Sequence, residues 1–241
     1  MAKSASRLAK ILDLLERFYG EQAPSGPRTA YEMVLHRNSG YPQSDERCDK
    51  GIAALKKGIG LAPEKILAAS DAKLREVMRA SVMNPALSAM RLKEIAARVA
   101  GEFGGDLRAA MKLPVAEARR ALKKFPTIAD ATADKILLFT RTATIAAVPS
   151  NCAHVPLRLG FGRESKNWAA GYRSAQQALA AELPADFDAL IRAYVLLKYH
   201  GQQTCKLARP RCDDCPVCSD CAYFKKSRQA DATAAAERKS D

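Results

Sequence analysis

Apolar residues recur at helical spacing from the start of the chain. Leu8, Ile11, Leu12, Leu15 and Phe18 share one face, and Gly20 stands where a helix would stop. Pro24, Gly26 and Pro27 then break the pattern. A second apolar stretch opens over Tyr31 to Leu35 and is interrupted by the polar run Asn38-Ser-Gly-Tyr-Pro-Gln-Ser. Ile52, Leu55 and Ile59 resume the helical period. Short helices are predicted over 63–69, 72–80, 89–102, 106–111, 115–123, 130–142, 170–182 and 186–199. The last places Phe187, Leu190, Ile191, Tyr194 and Val195, with the Lys198 stem, so that one face can be buried. No stretch alternates polar and apolar positions, so the predicted fold class is all-α. The C-terminal run from about Gln229 to Asp241 holds Ala, Ser and Asp without a large apolar residue, and 226–241 is predicted to be a disordered tail.

Composition narrows the class of partner. The chain has 241 residues, 48% of them hydrophobic, enough for one large domain or two modest ones with real cores. No apolar run approaches the roughly 20 residues that span a bilayer. The N-terminus is broken by charge every few residues, unlike a signal peptide, so a cytoplasmic protein without a membrane partner is expected. Net charge is +13 and the isoelectric point is near 9.5, which favours a polyanionic partner such as nucleic acid. Part of this charge is concentrated: Arg108, Lys112, Arg119, Arg120, Lys123 and Lys124 face only Asp106 and Glu117 over the segment from 106 to 124.

Five of the seven cysteines fall between Cys205 and Cys221, in the order Cys205-x6-Cys212-x2-Cys215-x5-Cys221 with Cys218 inside the last interval. Crowding of this kind in a reduced compartment points to metal rather than disulfides. Thiolates select iron–sulfur clusters, zinc or cuprous copper. A single x2 pair with longer flanking gaps leans mildly away from structural zinc, which usually shows two such pairs. Cys48 and Cys152 are expected to be buried small hydrophobes.

The run His200-Gly-Gln-Gln-Thr-Cys205-Lys-Leu-Ala-Arg-Pro-Arg-Cys212-Asp-Asp-Cys215-Pro-Val-Cys-Ser-Asp-Cys221 resembles the C-terminal cluster loop of the endonuclease III family, base-excision DNA glycosylases of the helix-hairpin-helix superfamily. The likeness is most specific over 186–225 and weaker over 89–160. It implies a [4Fe–4S] cluster on Cys205, Cys212, Cys215 and Cys221; Cys218 is extra, either a substitute ligand or a spare thiol, and the x5 interval favours Cys221. It also implies a two-lobed fold: residues 1–31 with 146–225 form the cluster domain, and 32–145 a helical bundle carrying the hairpin. A DNA-facing cleft between the lobes is part of that expectation.

The family's hairpin reads Leu-Pro-Gly-x-Gly-x-Lys-Thr-Ala. Here the same frame is Phe125-Pro126-Thr127-Ile128-Ala129-Asp130-Ala131-Thr132-Ala133. Thr127 and Ala129 replace the glycines through which backbone N–H groups approach a DNA phosphate, and Ala131 stands at the position of the lysine nucleophile. Continuing in register to Arg158-Leu159-Gly160 puts Pro149 where the family's catalytic aspartate belongs. The resemblance therefore implies a DNA-binding relative linked to base-excision repair, without standard glycosylase or abasic-lyase activity. Two alternatives stand beside it: an active enzyme with a relocated nucleophile, Lys135, and a redox or scaffold protein that keeps only the cluster. Asp130, Asp134 and Asn151 are further candidate substitutes, and all three, with Lys135, are expected to be surface or capping residues. The predicted DNA contacts are Lys123, Lys124, Thr127, Ala129, Arg209 and Arg211, on double-stranded DNA bound largely without sequence preference by a monomer. Family members wedge side chains into the duplex; here the corresponding loops hold His36-Arg37-Asn38 and Met83 to Leu87, with Met83 or Leu87 as the apolar wedge.

Overall fold

The computed structural model describes residues 5–42 and 44–229, and among them every regular element is helical. The helices are α1 (Arg7–Tyr19), α2 (Ala30–Asn38), α3 (Asp45–Gly58), α4 (Pro63–Ala68), α5 (Asp71–Met78), α6 (Pro85–Phe103), α7 (Val115–Leu122), α8 (Asp130–Phe139), α9 (His154–Arg158), α10 (Trp168–Glu182) and α11 (Phe187–Gln203), with 3-10 turns at Ala110–Lys112 and Cys218–Asp220. None is long and apolar enough to cross a membrane. A further helical stretch covers 222–229, so the first four residues of the predicted tail are helical. The rest of that tail lies outside the described residues.

Start signals account for most of the helix beginnings. The side chains of Ser6, Thr29, Ser44, Ser70, Asn84, Asn167 and Asp186 each accept a hydrogen bond from a backbone N–H in the first turn of the helix they precede. Asn84 followed by Pro85 starts α6 four residues earlier than predicted, and left-handed Gly104 ends it. The helix predicted over 106–111 does not form. Asp106 instead accepts the backbone N–H of Arg108, closing a local turn, and only a 3-10 turn follows before Pro114. The helix predicted to run to 142 stops at Phe139, where Thr140 bonds back to the Ile136 carbonyl and Arg141 takes φ +54°. Phe18, predicted on the buried face of α1, is 56% exposed.

The chain forms two compact units. Residues 1–24 and 144–241 make one, in which α1 packs on α10 and α11, and α9 on α10 and α11. Its core includes Leu8, Ile11, Leu12, Leu15, Leu179, Leu196 and Leu197. Residues 25–143 make the other, centred on α6, which packs against α2, α4 and α5, while α3 covers α5 and α2 and α7 covers α8. Leu35, Leu55, Ile66, Leu74, Met78, Leu92 and Ile95 fill that core. Residues 25–31, assigned from the sequence to the first unit, cluster with the second, because Thr29 caps α2 and the Tyr31 hydroxyl bonds the Leu61 carbonyl.

Candidate metal centre and hairpin

The cysteine loop begins where α11 ends. The backbone N–H groups of Thr204 and Cys205 both turn back to the His200 carbonyl, and the Arg211 N–H bonds the Thr204 carbonyl, closing the loop before Cys212. From there the chain bonds back every third residue: Cys215 N–H to Cys212, Cys218 N–H to Cys215, and Cys221 N–H to Cys218. These are successive turns, and only Cys218–Asp220 is a 3-10 helix. Cys205, Cys212, Cys215, Cys218 and Cys221 line one small cavity, with Arg158, His200, Tyr223 and Phe224. The four predicted thiols are brought together, and the fifth comes with them. Among the described residues no three His, Cys, Asp or Glu side chains converge to hold a single metal ion.

Three residues not recognised from the sequence brace this loop. Arg158, at the end of α9, donates to the Cys205 sulfur (3.6 Å), the Lys206 carbonyl (2.9 Å) and the Leu207 carbonyl (2.7 Å), and its guanidinium lies 4.7 Å from the centre of the Tyr223 ring. His154 Nε2 lies 2.7 Å from the Cys205 carbonyl oxygen. Tyr19 donates its hydroxyl to Thr204 Oγ1 (2.7 Å), so its oxygen is left to accept from His200 Nδ1 (2.8 Å), and the other ring nitrogen of His200 sits 3.8 Å from the Cys215 sulfur. The sequence signal for His200 is its place in the motif, five residues before Cys205.

Burial sets the electrostatics of the loop. It pushes the Cys215 thiol up to about 11 and raises Cys205 and Cys212 as well, against the opposing pull of Arg158 on Cys205. Burial also lowers His154, and lowers His200 to about 4, so His200 is a neutral imidazole near pH 7. A metal held by these sulfurs would release their protons on binding, since thiolates are the ligating form. The donor set fits a cluster held by four thiolates: soft sulfur ligands around one cavity, one guanidinium against the negative charge, and neutral imidazole beside it. Cys48 and Cys152 are both buried, as expected of small hydrophobes.

The other landmark is the turn between α7 and α8. Thr127 adopts φ +64°, a left-handed conformation that normally favours glycine. Its hydroxyl donates to Asn38 Oδ1 (3.2 Å), while Asn38 Nδ2 donates to the carbonyls of Pro126 and Val34 (both 3.0 Å). Asn38 is only 2% exposed, and its own carbonyl accepts from the Ser88 hydroxyl. Ala129 caps α8, leaving the first N–H groups of that helix without helical acceptors.

No family model matches the chain. A protein of Methanocaldococcus jannaschii named as a putative DNA repair glycosylase is 27% identical over 214 residues, covering 88% of this chain and 94% of that protein. Endonuclease III of Sulfolobus acidocaldarius is 24% identical over 197 residues, covering 81% of each. Among solved structures, an endonuclease III trapped as a covalent intermediate on DNA superposes with a TM-score of 0.71 at 20% identity, covering 91% of this chain and 96% of that one. A thermostable thymine-DNA glycosylase gives 0.70 at 16% identity, covering 91% and 97%. The chain resembles endonuclease III. Its helical fold is that of endonuclease III and the DNA glycosylases.

Against the endonuclease III pattern, the residues at the hairpin behave as follows. Ala131 is 4% exposed and Pro149 is buried, so neither offers a functional side chain. Lys135 is half-buried, with Nζ 5.6 Å from the centre of the Phe139 ring and its charge felt by His36 and Cys48. Asp134 corrects the expectation of a surface or capping residue: it is 2% exposed and takes the Arg119 guanidinium (Nε at 2.8 Å). Asp130 pairs with Lys123 at 2.6 Å, and Asn151 is exposed. Lys124 pairs with Glu102 at 2.8 Å, so Lys123 and Lys124 both already hold carboxylates. Arg211 is exposed but donates to the Gln203 carbonyl (2.7 Å), whereas Arg209 and Ala129 are exposed and Thr127 is half-buried. Of the loops matched to DNA wedges, Met83 is 77% exposed and Leu87 half-buried, while His36 and Asn38 are packed inside.

Proposed function

We propose that this chain is a DNA-binding protein of base-excision repair that carries a [4Fe–4S] cluster on Cys205, Cys212, Cys215 and Cys221 and does not excise bases by the lysine–aspartate route. The observation that carries the reading is the set of thiols lining one braced cavity, in a chain with the endonuclease III fold and a sequence likeness to DNA repair proteins. The cluster would supply a structural staple, tying the end of α11 to residues 212–221. Arg158 and His154 hold the loop's backbone, and His200 positions the cysteine nearest it. The solved relatives include an endonuclease III bound to DNA, and the net charge of +13 favours the same partner here. For chemistry on a base, this route requires an amine to form an imine with the sugar and a carboxylate to meet the developing sugar cation. Ala131 and Pro149 supply neither.

The test uses protein purified without oxygen. Iron and sulfide content, with a broad visible absorption, checks the cluster; one zinc per chain and no colour overturns it. Borohydride trapping on duplexes carrying an abasic site checks the chemistry, with no covalent adduct expected. An adduct that disappears in Lys135→Ala would establish the relocated nucleophile instead. The ring beneath Lys135 and its neighbours inside the second unit weigh against that outcome.

A further inference from the structure

Five thiols share a cavity that needs four. Cys212, Cys215, Cys218 and Cys221 stand three residues apart, and a backbone hydrogen bond joins each to the next. Cys218 lines the cavity together with Cys205, Cys212, Cys215 and Cys221. Cys218 and Cys221 bracket the 3-10 turn Cys218–Asp220, and the Cys221 sulfur also approaches the Arg158 carbonyl at 3.3 Å. The other three cysteines are placed differently. The Cys205 sulfur accepts from Arg158 at 3.6 Å, Cys215 lies 3.8 Å from His200 Nε2, and Cys212 starts the run.

We infer that the site has two interchangeable ligand sets: Cys205, Cys212 and Cys215 completed by either Cys221 or Cys218. This rests on the cluster reading above. Moving from one set to the other breaks one iron–thiolate bond and makes one. The proton leaves the incoming thiol and is taken up by the outgoing thiolate, with no change of oxidation state. The leftover thiol is then a reserve: damage to either residue by oxidation or alkylation leaves a complete set of four.

The experiment compares the parent protein with C218S, C221S, C218S/C221S and C212S, all purified without oxygen. It reads iron per chain and visible absorption, with far-ultraviolet circular dichroism to confirm that each variant is folded. Native alkylation with iodoacetamide, followed by peptide mapping, identifies which thiol is left outside the cluster. C218S and C221S should each keep about the parent's iron, while C218S/C221S and C212S should lose most of it. In the parent one of Cys218 and Cys221 should be alkylated; in C221S, Cys218 should become protected. Loss of iron in C221S but not in C218S overturns the inference and leaves a fixed ligand at Cys221, as does iron retained in C221S with Cys218 still alkylated. A parent without iron overturns the cluster reading as well.

Discussion

Thr127 holds a backbone conformation that costs a β-branched residue roughly 1–3 kcal/mol. It persists because Asn38 fixes both sides of the turn, taking the Thr127 hydroxyl and donating to the Pro126 carbonyl. Replacing Asn38 with Ala removes a buried hub and should lower unfolding free energy by about 2–3 kcal/mol, from the unmade hydrogen bonds. Thr127→Val alone should cost about 1 kcal/mol, and should cost almost nothing further in the Asn38→Ala background. Additive effects in denaturant titrations would show that the two side chains act independently. His36 lies in the same unit, with Nε2 2.7 Å from Asp49 Oδ1. Burial lowers its pKa despite that carboxylate. The unfolded chain, titrating near the ordinary value of about 6.5, therefore takes up a proton that the folded chain resists. Its stabilising contribution is fully present above pH 6.5 or so and declines as the pH falls toward the lowered folded value. The melting temperature of the parent should drop more steeply between pH 7.5 and 5.5 than that of His36→Gln; parallel curves would remove His36 from the account.

At the scale of helices, caps did most of the work and most of it was readable. Ser6, Asn167 and Asp186 stand immediately before periodic apolar residues, and α1, α10 and α11 begin there. Asn84→Ala should destabilise the unit centred on α6 by about 1 kcal/mol, since its side chain satisfies the Leu87 N–H; a loss below about 0.3 kcal/mol by thermal melting would mean another group takes over. The misreadings have local causes. Residues 106–111 show helical apolar spacing, but the Asp106 carboxylate captures a backbone N–H before the first turn can close. Short α9, with Pro156 inside it, has too few residues to display a period, and it carries Arg158 to the cysteine loop. The cysteines themselves were legible because their spacing is covalent. Their bracing by Arg158, His154 and Tyr19 was not, because it depends on contacts between residues as far as 185 positions apart. The pairing of Lys124 with Glu102, 22 positions away, was hidden for the same reason.

For the whole molecule, charge is distributed unevenly. Residues 25–143 hold 21 Lys and Arg against 13 Asp and Glu, a net of +8, and the remaining residues carry +5. The hairpin lies in the more basic unit, yet its two lysines are already matched to carboxylates. Exposed ion pairs of this kind contribute little to stability, so duplex phosphates can compete for the same ammonium groups. Binding that neutralises about four phosphates has a slope near −3.6 in a plot of log K against log salt, so affinity should fall roughly a hundredfold between 50 and 200 mM salt. Lys123→Glu with Lys124→Glu removes two of those cations and sets two new carboxylates beside Asp130 and Glu102. The double variant should bind undamaged duplex more weakly at every sequence tested, with the slope shallower by about 1.8. Fluorescence anisotropy on several unrelated duplexes, titrated with salt, measures both quantities. If affinity and slope match the parent, the phosphates lie elsewhere, and exposed Arg209 on the cysteine loop becomes the next cation to reverse.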